Sequence, residues 1–457
     1  VAKRGTLEVD GMKVIEGGRG DGGRGTHAGG PRTAALAQRA AAAFPDARLT
    51  AADTRPFPVV MARGARDRIY DVDGREYLDF HLSSGALVAG HAHPDVQAAL
   101  RRQVEAGGNF GAMNEAAIDL AERIVAAVPS IDSVKLVVSG TEATLHAIRM
   151  ARAYTGRDLV LRFEGAYHGH LDMVSLSNKL ATLGPADRDR PPDIHPIPDC
   201  PGIPQAIQDL CLVAPFNDAD AVRRILAEHG DRVACVIMEP FQRFIEPREG
   251  FLQAVRDATR ACGALLIFDE IVTGFRFGPG GAQEYYGVRP DLTTLGKIIG
   301  AGYPNGAIGG PAEIMNALFG KAARAPVYLA GTFAGHAVAA AGGAATLDAL
   351  SQPGAYAKLF ALGARAREGL RSVFARRGVP GRVFGVGPLF HLHFDDADVA
   401  NARDALGEDK ALRKRVWNAL LERDVHITGA RGFVSLQHNA ATVDDLVGRF
   451  DAALGDL

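Results

Sequence analysis

The chain has 457 residues, 47% of them hydrophobic, with 51 basic against 53 acidic residues and a formal net charge of −2. That near-balance excludes the electrostatic footprint of a nucleic-acid binder, and no apolar stretch reaches the roughly 18 residues of a transmembrane helix. Cys200, Cys211, Cys235 and Cys262 form no C-x-x-C pair, so a reducing, cytoplasmic setting is expected rather than a disulfide framework.

Residues 1–31 are Gly-rich, with little apolar surface to offset the entropy of ordering, and read as a flexible leader. Arg32 to Ala43 is an Ala-rich helical stretch. Arg68 to Asp79 reads as a hairpin turning at Asp73-Gly74. Pro94 to Glu105 reads as a helix, with proline near its start and Gly107-Gly108 after its end. Strands are expected at Val134–Val138, Leu159–Phe163, Val233–Met238, Leu265–Phe268 and Ala307–Gly310. Helices are expected from Glu142 to Tyr154, stopped at Gly156, and from Phe251 to Ala261. The alternation argues for an α/β fold, a mostly parallel sheet covered by helices on both faces. Beyond about Thr346 the pattern changes to helices (Gly354–Phe374, Asp409–Glu422) around short strands (Leu389–Phe394, Phe433–Leu436), the look of a smaller α+β domain.

In an α/β sheet, ligands gather outside the carboxyl ends of the strands. The candidates at such ends are Ser139-Gly140-Thr141, Glu164 to His168, Glu239, Asp269 and Lys297. Ser139-Gly140-Thr141 joins a strand to a helix and is either an anion cradle at a helix N-terminus or an ordinary cap. Tyr167, flanked by Gly165 and Gly169, can lie flat on a heterocyclic ring or pack as a loop residue. Asp269 and Lys297 are either a surface salt bridge or the two ends of one pocket. The apolar flanks of Leu-Gly-Lys297-Ile-Ile favour the pocket, because an unpaired ammonium there is costly. A fixed carboxylate and a lysine delivered into one pocket suit pyridoxal phosphate, whose aldehyde needs an amine and whose ring nitrogen needs an anion. His391, His393 and Asp395 share one face if they lie on a strand, which offers a metal site and a hydrolase as a rival reading.

Together these segments resemble the class III aminotransferases, fold type I pyridoxal phosphate enzymes, and most closely the glutamate-1-semialdehyde aminomutase branch and its β-amino-acid aminotransferase relatives. The matching segments are Ser139–Ala143, Phe163–His170, Phe268–Arg276, Gly280–Tyr286, Pro290–Gly300 and Gly331–Phe333, within about Pro56 to Leu454. The resemblance implies a large domain with a mostly parallel seven-stranded sheet (96–345), and a smaller α+β domain built from 32–95 and 346–457. It implies that Lys297 carries the cofactor as a Schiff base and that Asp269 pairs with the ring nitrogen. Ile271 and Tyr167 would cover the two ring faces, with His168 and Glu239 beside them. Ser139, Gly140 and Thr141 would hold the phosphate, joined by Thr332 from a second copy, which implies a homodimer.

Departures bear on the substrate. Where the aminomutases carry Asn, Trp and Glu, this chain has Val138, Ser84 and Ala430. Arg431-Gly-Phe433 is more like the β-amino-acid aminotransferases. Arg55 and Arg431 are candidate carboxylate forks, and Ser84 a candidate substrate contact. The expectation is an aminotransferase acting on an amino acid or amine and a carbonyl acceptor, with the aminomutase reaction as the alternative.

Overall fold

The computed structural model describes residues 29–45, 49, 57–178, 180, 183–187, 194–321, 323–427 and 429–457. Residues 1–28 of the expected leader and Arg55 lie outside the described residues, while Pro31 already belongs to the first helix. Those described fall into two units, divided between Val60 and Met61. In the first, the Ala-rich helix spans Pro31–Ala43 with proline in its opening turn.

The second unit carries fourteen strands among its described residues. In chain order they are β1 (Met61–Ala65), β2 (Arg68–Asp71), β3 (Glu76–Asp79), β4 (Ser133–Val137), β5 (Leu159–Phe163), β6 (Cys211–Ala214), β7 (Val233–Met238), β8 (Leu265–Asp269), β9 (Leu292–Leu295), β10 (Gly306–Gly310), β11 (Arg382–Phe384), β12 (Leu389–His393), β13 (Val425–His426) and β14 (Arg431–Phe433).

Seven of them form the central sheet, in the order β4-β10-β9-β8-β7-β5-β6. All run parallel except β10, which is antiparallel to both its neighbours. The apolar runs of β5 to β8 follow from burial on both faces. Alternate residues serve opposite sides. Leu161, Phe163, Val236, Met238, Leu266 and Phe268 join one core, while Val160, Cys235, Ile237, Leu265 and Ile267 join another. The helix Gly140–Thr155 closes the second core with Ala147, Ile148, Met150 and Ala151. Helices Ala219–His229 and Phe251–Cys262 close the first with Val222, Ile225, Phe251 and Val255.

Two smaller sheets flank this layer. β1-β2-β3-β13 joins the expected hairpin to a late strand, with β13 parallel to β3. At the hairpin tip, Gly74 adopts φ +91° and its N–H donates to the Asp71 carbonyl, a geometry that glycine supplies at least cost. β11-β12-β14 is antiparallel throughout. Its last strand is a correction: pairing covers Arg431–Phe433 rather than Phe433–Leu436. Beyond Phe433 the backbone leaves the ladder, Val434 N–H going to the Pro388 carbonyl and Leu436 N–H to that of Val88. The helix Ala337–Leu350 carries no amphipathic stripe that a sequence reading can find, because it is buried nearly all round. All four cysteines are free. Among the described residues no helix is long and apolar enough to cross a membrane.

Candidate active site

The strand ends converge as expected. β8 delivers Asp269, which is buried. One carboxylate oxygen, Oδ2, lies 2.7 Å from His168 Nδ1. The other accepts the Ile271 N–H at 3.1 Å and faces Thr294 Oγ1 at 3.4 Å. His168 is fully buried and its Nε2 has no partner. The next residue in the chain, Glu270, serves the scaffold instead. Its carboxylate accepts from Thr273 Oγ1, the Ala282 and Gln283 N–H groups and Gln283 Nε2. Burial pushes its pKa up while those donors pull it down.

Lys297 follows β9 in a left-handed conformation, φ +46°. Burial pushes its pKa down to about 8, with the Arg276 guanidinium acting in the same direction and Asp269 opposing. At pH 7 about a tenth of its amine is then neutral, far more than for an ordinary lysine, and the neutral form is what a nucleophilic lysine needs.

The loop after β4 caps the helix that follows it. Ser139 Oγ accepts the Glu142 N–H at 3.2 Å, while Glu142 Oε2 accepts the Val138 N–H at 2.8 Å. Gly140 and Thr141 open the helix, where free N–H groups and the helix dipole favour an anion. A side chain at Gly140 would put its Cβ 2.6 Å from Ile271 Cδ1, and one at Gly169 would sit 2.5 Å from Thr141 Oγ1. Gly140, Ile271, Thr141 and Gly169 are thus brought together where only glycines fit. Thr144 Oγ1 ties this loop to the next, lying 2.7 Å from the His168 carbonyl and 3.0 Å from that of Thr141.

Glu239 ends the approach from β7. Its Oε1 accepts the Tyr167 N–H at 2.8 Å and its Oε2 the Arg243 N–H at 3.4 Å. Tyr167 is 43% exposed, and its ring carries the Arg243 guanidinium 5.3 Å from its centroid.

A further feature, invisible in the sequence, is a left-handed turn after β3. Leu82, Ser83, Ser84 and Gly85 have φ of +47°, +53°, +57° and +83°. Left-handed helical geometry costs about 1–2 kcal/mol per non-glycine residue. Asp79 underwrites it, its Oδ1 accepting the His81 and Leu82 N–H groups as well as facing His426 Nδ1, with Oδ2 2.6 Å from His91 Nε2. Burial raises the Asp79 pKa, but hydrogen bonds from His426 and His91 outweigh it and hold the carboxyl well below its ordinary value. Ser84 is exposed on this turn, 3.4 Å from His81 Nε2. The turn is fastened to β14, since Phe433 N–H donates to the Phe80 carbonyl and a Cβ on Gly85 would meet the Phe433 ring. Arg276, fully buried, donates from Nη2 to the Gly85 carbonyl and stacks 5.1 Å over Phe433, while its Nη1 has no partner.

Arg431, on β14, has a buried Nε without a partner. Burial pushes its pKa down to about 9, so it stays cationic at neutral pH. Thr332 is exposed, its carbonyl accepting from Asn109 Nδ2 at 3.0 Å.

The metal reading is corrected. His391 and His393 do share the buried face of β12, but their third neighbour is Glu408, not Asp395. Asp395 lies past the strand end and accepts the Ala397 N–H. Glu408 is already paired with Arg413, and Phe244 stacks on His391 at 3.9 Å, so the cluster is closed by an ion pair and an aromatic ring.

A parallel sheet that brings a buried carboxylate, a low-pKa lysine and a glycine-lined helix N-terminus to one edge defines a pyridoxal-phosphate-dependent enzyme of fold type I. The residues fit that cofactor: a Cβ at Gly140 or Gly169 would crowd Ile271 or Thr141, and the Asp269 carboxylate is held by His168 and acts on the charge of Lys297. The model of the family described as aminotransferase class-III matches residues 49–454. The chain belongs to that family, in its glutamate-1-semialdehyde-aminomutase-like branch, and pyridoxal phosphate is its cofactor. It is 40% identical over 400 residues to a glutamate-1-semialdehyde 2,1-aminomutase of Persephonella marina, covering 86% of this chain and 90% of that protein. Among solved structures it is similar to an omega-transaminase from Sphaerobacter thermophilus, with TM-score 0.87 and 38% identity over 93% of this chain and 97% of that one. A β-phenylalanine aminotransferase from Variovorax paradoxus is 32% identical, with TM-score 0.83 over 93% and 94% of the two chains.

Proposed function

We propose that this enzyme transfers an amino group from a carboxylate-bearing amino acid or amine to a separate carbonyl or keto-acid acceptor. The observation that carries the reading is Arg431, a cation whose buried Nε has no partner. A substrate carboxylate supplies what that guanidinium lacks. Bound pyridoxal phosphate supplies an electron sink that stabilises negative charge at the substrate carbon. Lys297 holds the cofactor through its amine and afterwards moves a proton at the substrate carbon. Asp269 keeps the ring nitrogen protonated, and His168 fixes the Asp269 carboxylate. Ser139, Gly140 and Thr141 hold the phosphate, and Ile271 and Tyr167 cover the two ring faces, Glu239 anchoring the backbone of Tyr167.

A second reading, intramolecular transfer as in an aminomutase, is supported by relatives of that name at 40–42% identity. The two differ in their need for an acceptor. Holoenzyme given a donor alone is expected to release about one carbonyl product per site and stop until a keto acid is added. Sustained isomerisation of glutamate-1-semialdehyde with no acceptor present would overturn the aminotransferase reading.

We also infer a homodimer in which Thr332 reaches the phosphate site of a second copy. Exposed Phe110, Met113, Tyr328 and Phe333 supply apolar surface for such an interface, and the Asn109–Thr332 hydrogen bond ties their two segments together. Sedimentation of the holoenzyme as a monomer would contradict this.

A further inference from the structure

Arg243 has no place in the chemistry described so far, yet its backbone and side chain are both held with care. Its N–H is fixed by Glu239, the same carboxylate that fixes the Tyr167 backbone. Its φ of +61° is a conformation that glycine would adopt without strain. The guanidinium lies over Tyr167, and among the described residues no carboxylate meets it.

The neighbouring residues aim this loop at Arg431. Phe244, next in the chain, stacks on His391 with ring centroids 3.9 Å apart and planes 4° apart. His391 stands directly opposite Arg431 in the β12–β14 ladder. Opposed residues of an antiparallel pair project from the same face of the sheet. Arg431 therefore projects on the face that the Arg243-Phe244 loop covers. After burial, the Arg243 charge is the next largest influence lowering the Arg431 pKa, as expected of two neighbouring cations. Glu239 opposes it, but both its oxygens already accept backbone N–H groups.

We infer that Arg243 is a second anion-binding residue of the substrate pocket, facing Arg431 across it, and that one of the enzyme's two substrates carries two acidic groups. The inference rests on the proposed role of Arg431 as the first carboxylate fork. A mono-acid would engage one guanidinium and leave the other partly desolvated without a counter-charge. A diacid engages both, each as a bidentate charge-assisted pair.

The test is calorimetric binding of glutarate and butyrate to the holoenzyme, which needs no turnover. Wild type is expected to bind glutarate at least about tenfold more tightly than butyrate. Arg243→Gly, which also relieves the left-handed strain, should weaken glutarate at least about tenfold and leave butyrate within about twofold, with thermal stability retained. Arg243→Lys should recover part of the glutarate affinity. Arg431→Gln should weaken both acids. Equal affinity of wild type for the two acids overturns the inference. So does glutarate binding unchanged in Arg243→Gly, or an equal loss for both acids in that variant. In each of those cases, weakened binding in Arg431→Gln would leave the first fork standing. Binding of both acids unaffected by Arg431→Gln would instead remove the reading on which the inference depends.

Discussion

The cofactor end and the substrate end of this site are built on opposite principles. At the cofactor end most polar groups, His168 Nε2 excepted, already have a protein partner: Asp269 has His168, Ile271 and Thr294, and Ser139 has Glu142. At the substrate end the cations Arg276 and Arg431 keep buried nitrogens unpartnered, and the backbone is left-handed at Leu82–Gly85 and at Arg243. The first region is preorganised for a group that stays. The second holds unsatisfied charge and strain, of the kind that collects where ligands come and go. Under the proposed function, chemistry belongs to one end and selectivity to the other.

The largest effect should come from breaking the cofactor end. Lys297→Ala is expected to lose the visible absorbance of lysine-linked cofactor and to lower turnover by about 10²–10⁴-fold or more, since both tether and proton carrier go. Asp269→Asn should lower turnover by about 10²–10³-fold, as removal of one preorganised electrostatic contact does, with cofactor still bound. His168→Gln, acting through Asp269, should cost less than Asp269→Asn in the same assay. An equal loss would mean that the two residues act as one unit.

The support of the substrate end comes next. Asp79→Ala is expected to destabilise the fold by about 3–5 kcal/mol, because it strips partners from His91 and His426 and releases the left-handed turn. The pH dependence follows from the depressed Asp79 pKa. Its contribution is present above the unfolded carboxyl value near about 4 and is lost as pH falls through the lower folded value. Chemical denaturation of wild type and variant at neutral and acidic pH should therefore show the difference shrinking on the acid side.

Smaller effects sharpen the contrast. Gly140→Ala must displace Ile271 and should cost about 1–3 kcal/mol, read mainly as weaker cofactor affinity. Ser84→Gly should move the other way, stabilising the fold by about 0.5–1 kcal/mol as left-handed strain is relieved. Finally, the rate of cofactor attachment to apoprotein should rise with pH through about 8, well below the ordinary lysine range, because the neutral amine of Lys297 appears there.

The cofactor end was largely legible from the chain. An apolar run ending in Asp269, another ending just before Lys297, and a Ser-Gly-Thr between strand and helix are local patterns, and the sheet places such ends together by topology alone. The substrate end was much less so. Ser84 and Arg431 could be named as candidates, but nothing in Leu-Ser-Ser-Gly announces four consecutive left-handed residues. Local propensity argues against such a turn, and only Asp79, His91 and His426, distant in sequence, make it tolerable. No local pattern marks Arg243 or Arg276 as a cation without a counter-charge. Asp395 looked like the partner of His391 and His393 until the fold put Glu408 there.

The chain alone, then, indicated the layered α/β architecture, the cofactor, and a carboxylate and a lysine as candidates to hold it. These depend on periodicity and on strand-end position, which are properties of short segments. Only the tertiary structure decided which cations stand without counter-charges and where the backbone is strained. Those depend on what is absent around a side chain once distant segments have packed, and no local pattern encodes an absence.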